Sequence, residues 1–208
     1  MPDKATVIVI GDEGVGKSAL ILQLCLAHFP RTHEPTADDN IRKRIIVDDE
    51  PCELDIIDTA GRDMYIPLNE RWIAAGDAVV LVYDITDRES FAHLWKYYAQ
   101  VQMIRSSRYP DPSKNECMPV ILVGNKYDLR HSRTVSVKAG KGLAKELGAE
   151  YIETSARLDI NIAEIFFRIV RKLRSQQRTG QQLLLEKKGI IGHHRPWQRL
   201  SNCKCTVM

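Results

Sequence analysis

This 208-residue sequence has no run of eighteen or more apolar residues, and no signal-peptide pattern precedes its first strand-like run, TVIVIG. The expectation is a body made in the cytosol, with neither a membrane span nor a secretory leader. Cysteine is sparse: Cys25, Cys52, Cys117, Cys203 and Cys205 are odd in number and scattered until the last two. That argues against a disulfide framework or a zinc knuckle and makes the first three core thiols. Charge of one sign is lacking overall, since the net +3 is small, but it is unevenly spread. Residues 171–208 hold 9 Lys/Arg against 1 acid, about +8, and leave 21 against 26 for the rest. No nucleic-acid partner is expected.

What is present is alternation. Apolar runs at 6–10, 54–58, 78–84 and 118–124, with a weaker one at 150–153, are short, β-branched and bounded by turn residues, as buried parallel strands are. Helical patterns lie between them: one opens at Gly16, one follows Asp87, one covers Val137 to Leu147, and the clearest spans 160–174. Around Asp48-Asp49-Glu50 two further strand patterns meet as a hairpin, which adds one antiparallel strand. The predicted fold is α/β: a doubly wound, mostly parallel six-stranded sheet with helices on both faces. Residues 105–119 read as a surface loop. Periodicity fades after about Ser175, so the expected division is a folded domain over 1–174 and a disordered basic tail over 175–208.

Gly11-x4-Gly16-Lys17-Ser18 follows a predicted strand and opens a predicted helix, the context of a phosphate-binding P-loop. Glu13, Gly14, Val15, Gly16, Lys17, Ser18 and Ala19 form the predicted cradle. Backbone N–H groups and the helix N-terminus surround phosphate, Lys17 adds a point charge, and the Ser18 hydroxyl suits Mg²⁺. Asp58, ending the run at 54–58, can hold Mg²⁺ through water, and Gly61 can meet the terminal phosphate. Thr36 offers a second hydroxyl to the metal; a simple Pro-Thr turn is the other reading. Asn125-Lys126-Tyr127-Asp128 follows a strand at the edge where such sheets bind ligands. One carboxylate, Asp128, can accept both adjacent donors of guanine, a pair adenine lacks. Asn125 can tie neighbouring loops together, the Lys126 stem can lie on the base, and Ser155, Ala156 and Arg157 follow the next strand to meet the guanine carbonyl. An ATP-dependent kinase or ATPase is disfavoured by this base reader.

These motifs, GDEGVGKSALILQL, HF at 28–29, PT at 35–36, DTAG, NKYD, ETSA and a terminal CTVM, resemble the Ras family of small GTPases in order, from Thr6 to Met208. The resemblance implies a six-stranded sheet with five helices, GTP or GDP with Mg²⁺, switch regions around Thr36 and Gly61, and Phe29 covering the guanine edge. It implies Lys17, Thr36, Gly61 and position 62 as the catalytic set, effector proteins meeting residues 31–41, an exchange factor and an activating protein.

Two departures bear on hydrolysis. Glu13 stands where Ras proteins usually have glycine, and Arg62 where they have the glutamine that orients the attacking water. A guanidinium only donates, so Arg62 cannot accept from that water. Glu13 adds bulk and like charge beside the terminal phosphate, where it obstructs an activating protein's arginine. Slow turnover follows as the expectation, or a module that holds GTP without cleaving it and recruits effectors. Glu13 and Arg62 either pair across the nucleotide or extend separately into water; the sequence leaves both open. His33, Ala37 and Ile41 also drift from the usual effector-facing residues. At the other end Cys205-Thr206-Val207-Met208 fits C-a-a-X with a farnesyl on Cys205. Cys203 as a palmitoyl site, and basic residues including Arg174 and Arg178, supply the second signal that one lipid requires. The expected location is the cytoplasmic face of a membrane, the plasma membrane above all.

Overall fold

The apolar runs pair into one sheet. A computed structural model of the chain describes residues 4–29, 39–59, 70–108 and 118–187. Its strands are β1 (Lys4–Ile10), β2 (Asp39–Val47), β3 (Glu50–Asp58), β4 (Ala78–Asp84), β5 (Val120–Asn125) and β6 (Glu150–Glu153). Its helices are α1 (Lys17–Leu26), α2 (Glu70–Ala75), α3 (Arg88–Arg108), α4 (Val137–Glu146) and α5 (Ile162–Lys187), with a 3-10 turn at Tyr127–Ser132. The strand order is β2-β3-β1-β4-β5-β6, and only the β2–β3 pair is antiparallel. The predicted six-stranded, mostly parallel sheet is therefore the fold. Asp48 and Asp49 both have positive φ, 51° and 63°, which a two-residue type I′ hairpin turn requires at both central positions.

Because side chains alternate across a strand, each buried strand feeds two cores. Val7, Val9, Val80 and Val82 pack with Leu20 and Ile21 of α1 and with Ile165, Phe166 and Ile169 of α5. Ile8, Ile10, Val79 and Leu81 turn the other way, onto Ile73, Leu94, Tyr97, Val101 and Ala144 of α2, α3 and α4. Each fully buried Val, Leu or Ile contributes about 1.5–3 kcal/mol, so the two cores together fix the sheet between its helix layers. Cys52 lies in the first core and Cys25 packs against it, as core thiols do; Cys117 lies outside the described residues.

Two helices outrun their apolar periodicity. The third, α3, continues to Arg108, into the stretch expected as a loop; there Ser106 and Ser107 both donate to the Met103 carbonyl, at 3.0 and 2.9 Å, so their hydroxyls are satisfied within the helix. The last, α5, runs past 174 to Lys187: Gln, Arg, Leu and Lys are good helix formers, and Ser175 and Thr179 donate to Lys172 O and Ser175 O. Arg174 is not available to lipid. It is 5% exposed and donates to the carbonyls of Val47 (2.6 Å), Glu50 (3.2 Å) and Pro51 (3.4 Å), which fastens α5 to the β2–β3 hairpin. Arg171 adds a forked bond to Asp48. No helix among the described residues is long and apolar enough to cross a membrane.

Candidate functional site

β1 lies between β3 and β4, and the chain leaves β1 for a helix on one face and β4 for a helix on the other. That switch opens a crevice at the carboxyl ends of the strands. The loop from Gly11 to Gly16 sits in it. Gly16 has φ 95°, and a Cβ there would come within 2.4 Å of Asn125 Nδ2. At Gly11 a Cβ would meet the Val82 carbonyl at 2.2 Å, so the loop enters hard against β4. Lys17 is 5% exposed, and its Nζ donates to Gly11 O (3.0 Å) and Asp12 O (2.9 Å), spanning the loop. Val15 is buried, Ser18 and Ala19 are half-buried, and Glu13 and Gly14 are exposed at the crest.

The predicted base reader is joined to this loop. Asn125, 1% exposed, donates to Val15 O at 2.8 Å and accepts from Thr154 Oγ1 at 3.1 Å, so it links β5, the loop and the segment after β6. The fully buried Ser155 donates to Asp128 Oδ1 at 2.7 Å, which orients that carboxylate and leaves Oδ2 as a further acceptor. The peptide groups of Ser155 and Ile160 pair reciprocally, closing the loop that carries Ala156 and Arg157. Lys126 has a left-handed backbone, φ 68°, and its Nζ lies 2.7 Å from Asp84 Oδ2. Asp84 in turn accepts from Thr86 N and Oγ1 at 2.8 and 2.7 Å.

Asp58 ends β3 and is 2% exposed; Thr59, next to it, donates to Val9 O at 2.8 Å and locks this strand end beside β1. A hydroxyl at the first turn of α1 and a carboxylate at the end of β3 are the hard oxygen donors that Mg²⁺ prefers, so the residues fit that ion. No group of three or more His, Cys, Asp or Glu side chains placed for a metal occurs among the described residues. Phe29 is 38% exposed after α1. Thr36, Gly61, Arg62, Cys203, Cys205 and most of the effector stretch 31–41 lie outside the described residues.

Behind the base reader, Arg133 holds both oxygens of Glu153, at 2.6 and 2.9 Å, and Tyr151 donates to Oε1 at 2.7 Å. Burial alone pushes the Glu153 carboxyl up, but the bonds from Arg133 and Tyr151 outweigh it and hold it low. At Asp55 the bond from Lys4 leads, and with Arg42 it lowers that carboxyl too, against burial. Groups held low in the folded state stabilise it above the ordinary carboxylate range, about 4, and lose that effect as pH falls through their folded values. The thermal midpoint is therefore expected to drop on acidification below about pH 4. Glu153→Gln should lower the midpoint at pH 7 and converge with the native chain in acid, which a thermal melt series in pH checks.

Sequence reasoning missed three residues around the loop. Asp12, one residue before Glu13, directs its carboxylate onto α3: Oδ2 lies 2.7 Å from His93 Nδ1, and Oδ1 accepts from Tyr97 at 2.7 Å. The signal was there, as a second acid in an anion-binding loop and a His/Tyr pair four residues apart on a helix. Asp84 was also missed, because a strand-end aspartate shows its partner only once Lys126 is placed.

Comparisons with known proteins give the family. A family model described as "Ras family" matches residues 6–175. The chain is similar to Ras-like protein B of Aspergillus fumigatus, 43% identical over 190 residues that cover 84% of this chain and 79% of that protein. It is 42% identical to protein ras-2 of Neurospora crassa over 185 residues, 84% and 81% of the two chains. To Ras-like protein 1 of Saccharomyces cerevisiae it is 41% identical over 168 residues, 81% of this chain and 52% of that longer protein.

Proposed function

Because the chain belongs to the Ras family of small GTPases, we propose that it works as a membrane-anchored GTP/GDP signalling switch whose hydrolysis is slow. Cleavage of GTP to GDP and phosphate is the family reaction. The observation that carries the guanine reading is the joined pair of loops: Asp128 oriented by Ser155, and Asn125 binding the base-reading segment to the phosphate loop. One carboxylate presented this way accepts from the two adjacent guanine donors and leaves adenine unmatched. In this reading Lys17 and the backbone N–H groups of Gly14 to Ala19 hold the phosphates, Gly61 meets the last of them, and Ser18, Thr36 and Asp58 hold Mg²⁺. When bound, the ion neutralises charge on the phosphate oxygens.

Slow cleavage rests on residue chemistry at two positions. Arg62 cannot accept the proton of an attacking water, and Glu13 places bulk and negative charge where an activating protein's arginine enters. This favours GTP-form signalling set by exchange and synthesis, and in its extreme form a non-hydrolysing recruitment module. Effectors meeting residues 31–41 read the GTP form. The anchor is a farnesyl on Cys205, supported by Cys203 and by basic residues other than Arg174.

Competition decides the base: labelled GDP bound to the purified full chain should be displaced by unlabelled GTP and not by equal ATP. Equal displacement by ATP overturns the guanine reading. For the anchor, Cys205→Ser should abolish farnesyl incorporation and membrane recovery together; an unchanged membrane fraction overturns it.

A further inference from the structure

The acid next to Glu13 is bound to a helix, and that attachment bears on the grip of the loop. Asp12 and Glu13 are consecutive carboxylates in a segment shaped to receive a polyanion, where free negative charge opposes binding. The structure separates the two. Glu13 is exposed at the crest, whereas the Asp12 side chain is 17% exposed and turned back from the loop onto α3.

Both its oxygens are engaged by side chains one helical turn apart. A carboxylate only accepts, so the 2.7 Å contact with His93 requires the ring proton on Nδ1. The Tyr97 hydroxyl donates to the other oxygen; burial, then the Asp12 bond, push its ionisation upward, which keeps it a donor. The Asp12 carbonyl faces the other way and accepts from Lys17 Nζ. Through one residue, α3 is joined to the lysine that meets the phosphates.

We propose that Asp12 is a positioning residue, a tether by which His93 and Tyr97 of α3 hold the phosphate loop in its receiving shape and keep its acid off the nucleotide. The loop is then held at Asp12 by α3 and at Val15 by Asn125. Pinning sets the backbone donors before the ligand arrives, so less order is lost on binding and release is slower. The tether also makes α3 a lever on nucleotide release, since a shift of that helix moves Asp12 directly.

The tether rests on the guanine-nucleotide reading above, and one experiment separates them. Release of fluorescent GDP from the full-length chain is followed after addition of excess unlabelled GDP. Tyr97→Phe, which removes one hydroxyl and keeps the ring, should accelerate release about tenfold, the order expected for one charge-assisted hydrogen bond. His93→Ala should do the same, and His93→Gln, whose amide still donates to Asp12, should restore a near-native rate. In an Asp12→Ala background Tyr97→Phe should change the rate less than about twofold, because its partner is gone. An unfolding temperature that stays within a few degrees for Tyr97→Phe separates this from loosening of the core. Native retention of GDP with equal release from all the variants, or a Tyr97→Phe effect that persists without Asp12, overturns the tether. A native chain that fails to retain GDP overturns the nucleotide reading itself.

Discussion

Replacing Asn125 by alanine is expected to weaken GDP retention about a hundredfold. Its amide links the phosphate loop to the base-reading segment, with Val15 O at one end and Thr154 Oγ1 at the other. Truncation removes two buried hydrogen bonds and strands both partners, at about 1 kcal/mol for each bond and 1–3 kcal/mol for each orphaned group. Even half of that sum, appearing in binding, is about two decades of affinity. Asn125→Asp should weaken retention at least as far, since the buried carboxylate still accepts from Thr154 but meets Val15 O as acceptor against acceptor and adds negative charge beside the phosphate loop. Filter retention of labelled GDP checks the series, and a change below about threefold for the alanine variant contradicts the linkage.

Arg62→Gln is expected to raise the single-turnover rate of GTP cleavage by about tenfold or more. A glutamine restores a group that can accept from and donate to one water, the task general base positioning performs with gains of about 10²–10⁴. Binding should change little, because the proposed grip lies in the backbone of the loop, Lys17 and the base reader, and position 62 is outside it. Glu13→Gly in addition should restore response to an activating protein, by clearing the entry of its arginine. If Arg62→Gln leaves the rate unchanged, position 62 is not what limits hydrolysis.

Much of this was legible in the chain because the local signals agree with one another. β-branched runs at regular spacing gave the parallel strands, and the Asp48-Asp49 turn gave the antiparallel one. The places of the candidate phosphate loop and base reader were readable because both follow β-branched runs that end at one edge of the sheet. Helix ends were not readable: α3 and α5 extend where apolar periodicity stops, and the exposed serines and threonines that suggested a loop place their hydroxyls on helix carbonyls instead. Arg174 looked like a tail cation because burial depends on where the hairpin lies, which no local pattern carries. Asp12 and Asp84 were missed for a related reason. Their partners are eighty or more and forty or more residues away in the chain, and only the packing of α3 and the loop after β5 brings them within 2.7 Å.

The most direct measurement is of the nucleotide itself: the full-length chain is purified, its bound nucleotide identified by chromatography, and a GTP load followed over time with Mg²⁺ present. A slow guanine-nucleotide switch carries GTP and converts it to GDP gradually, with that conversion accelerated in the Arg62→Gln variant. A chain that holds adenine nucleotide, or that turns its GTP over promptly while keeping Glu13 and Arg62, contradicts the account.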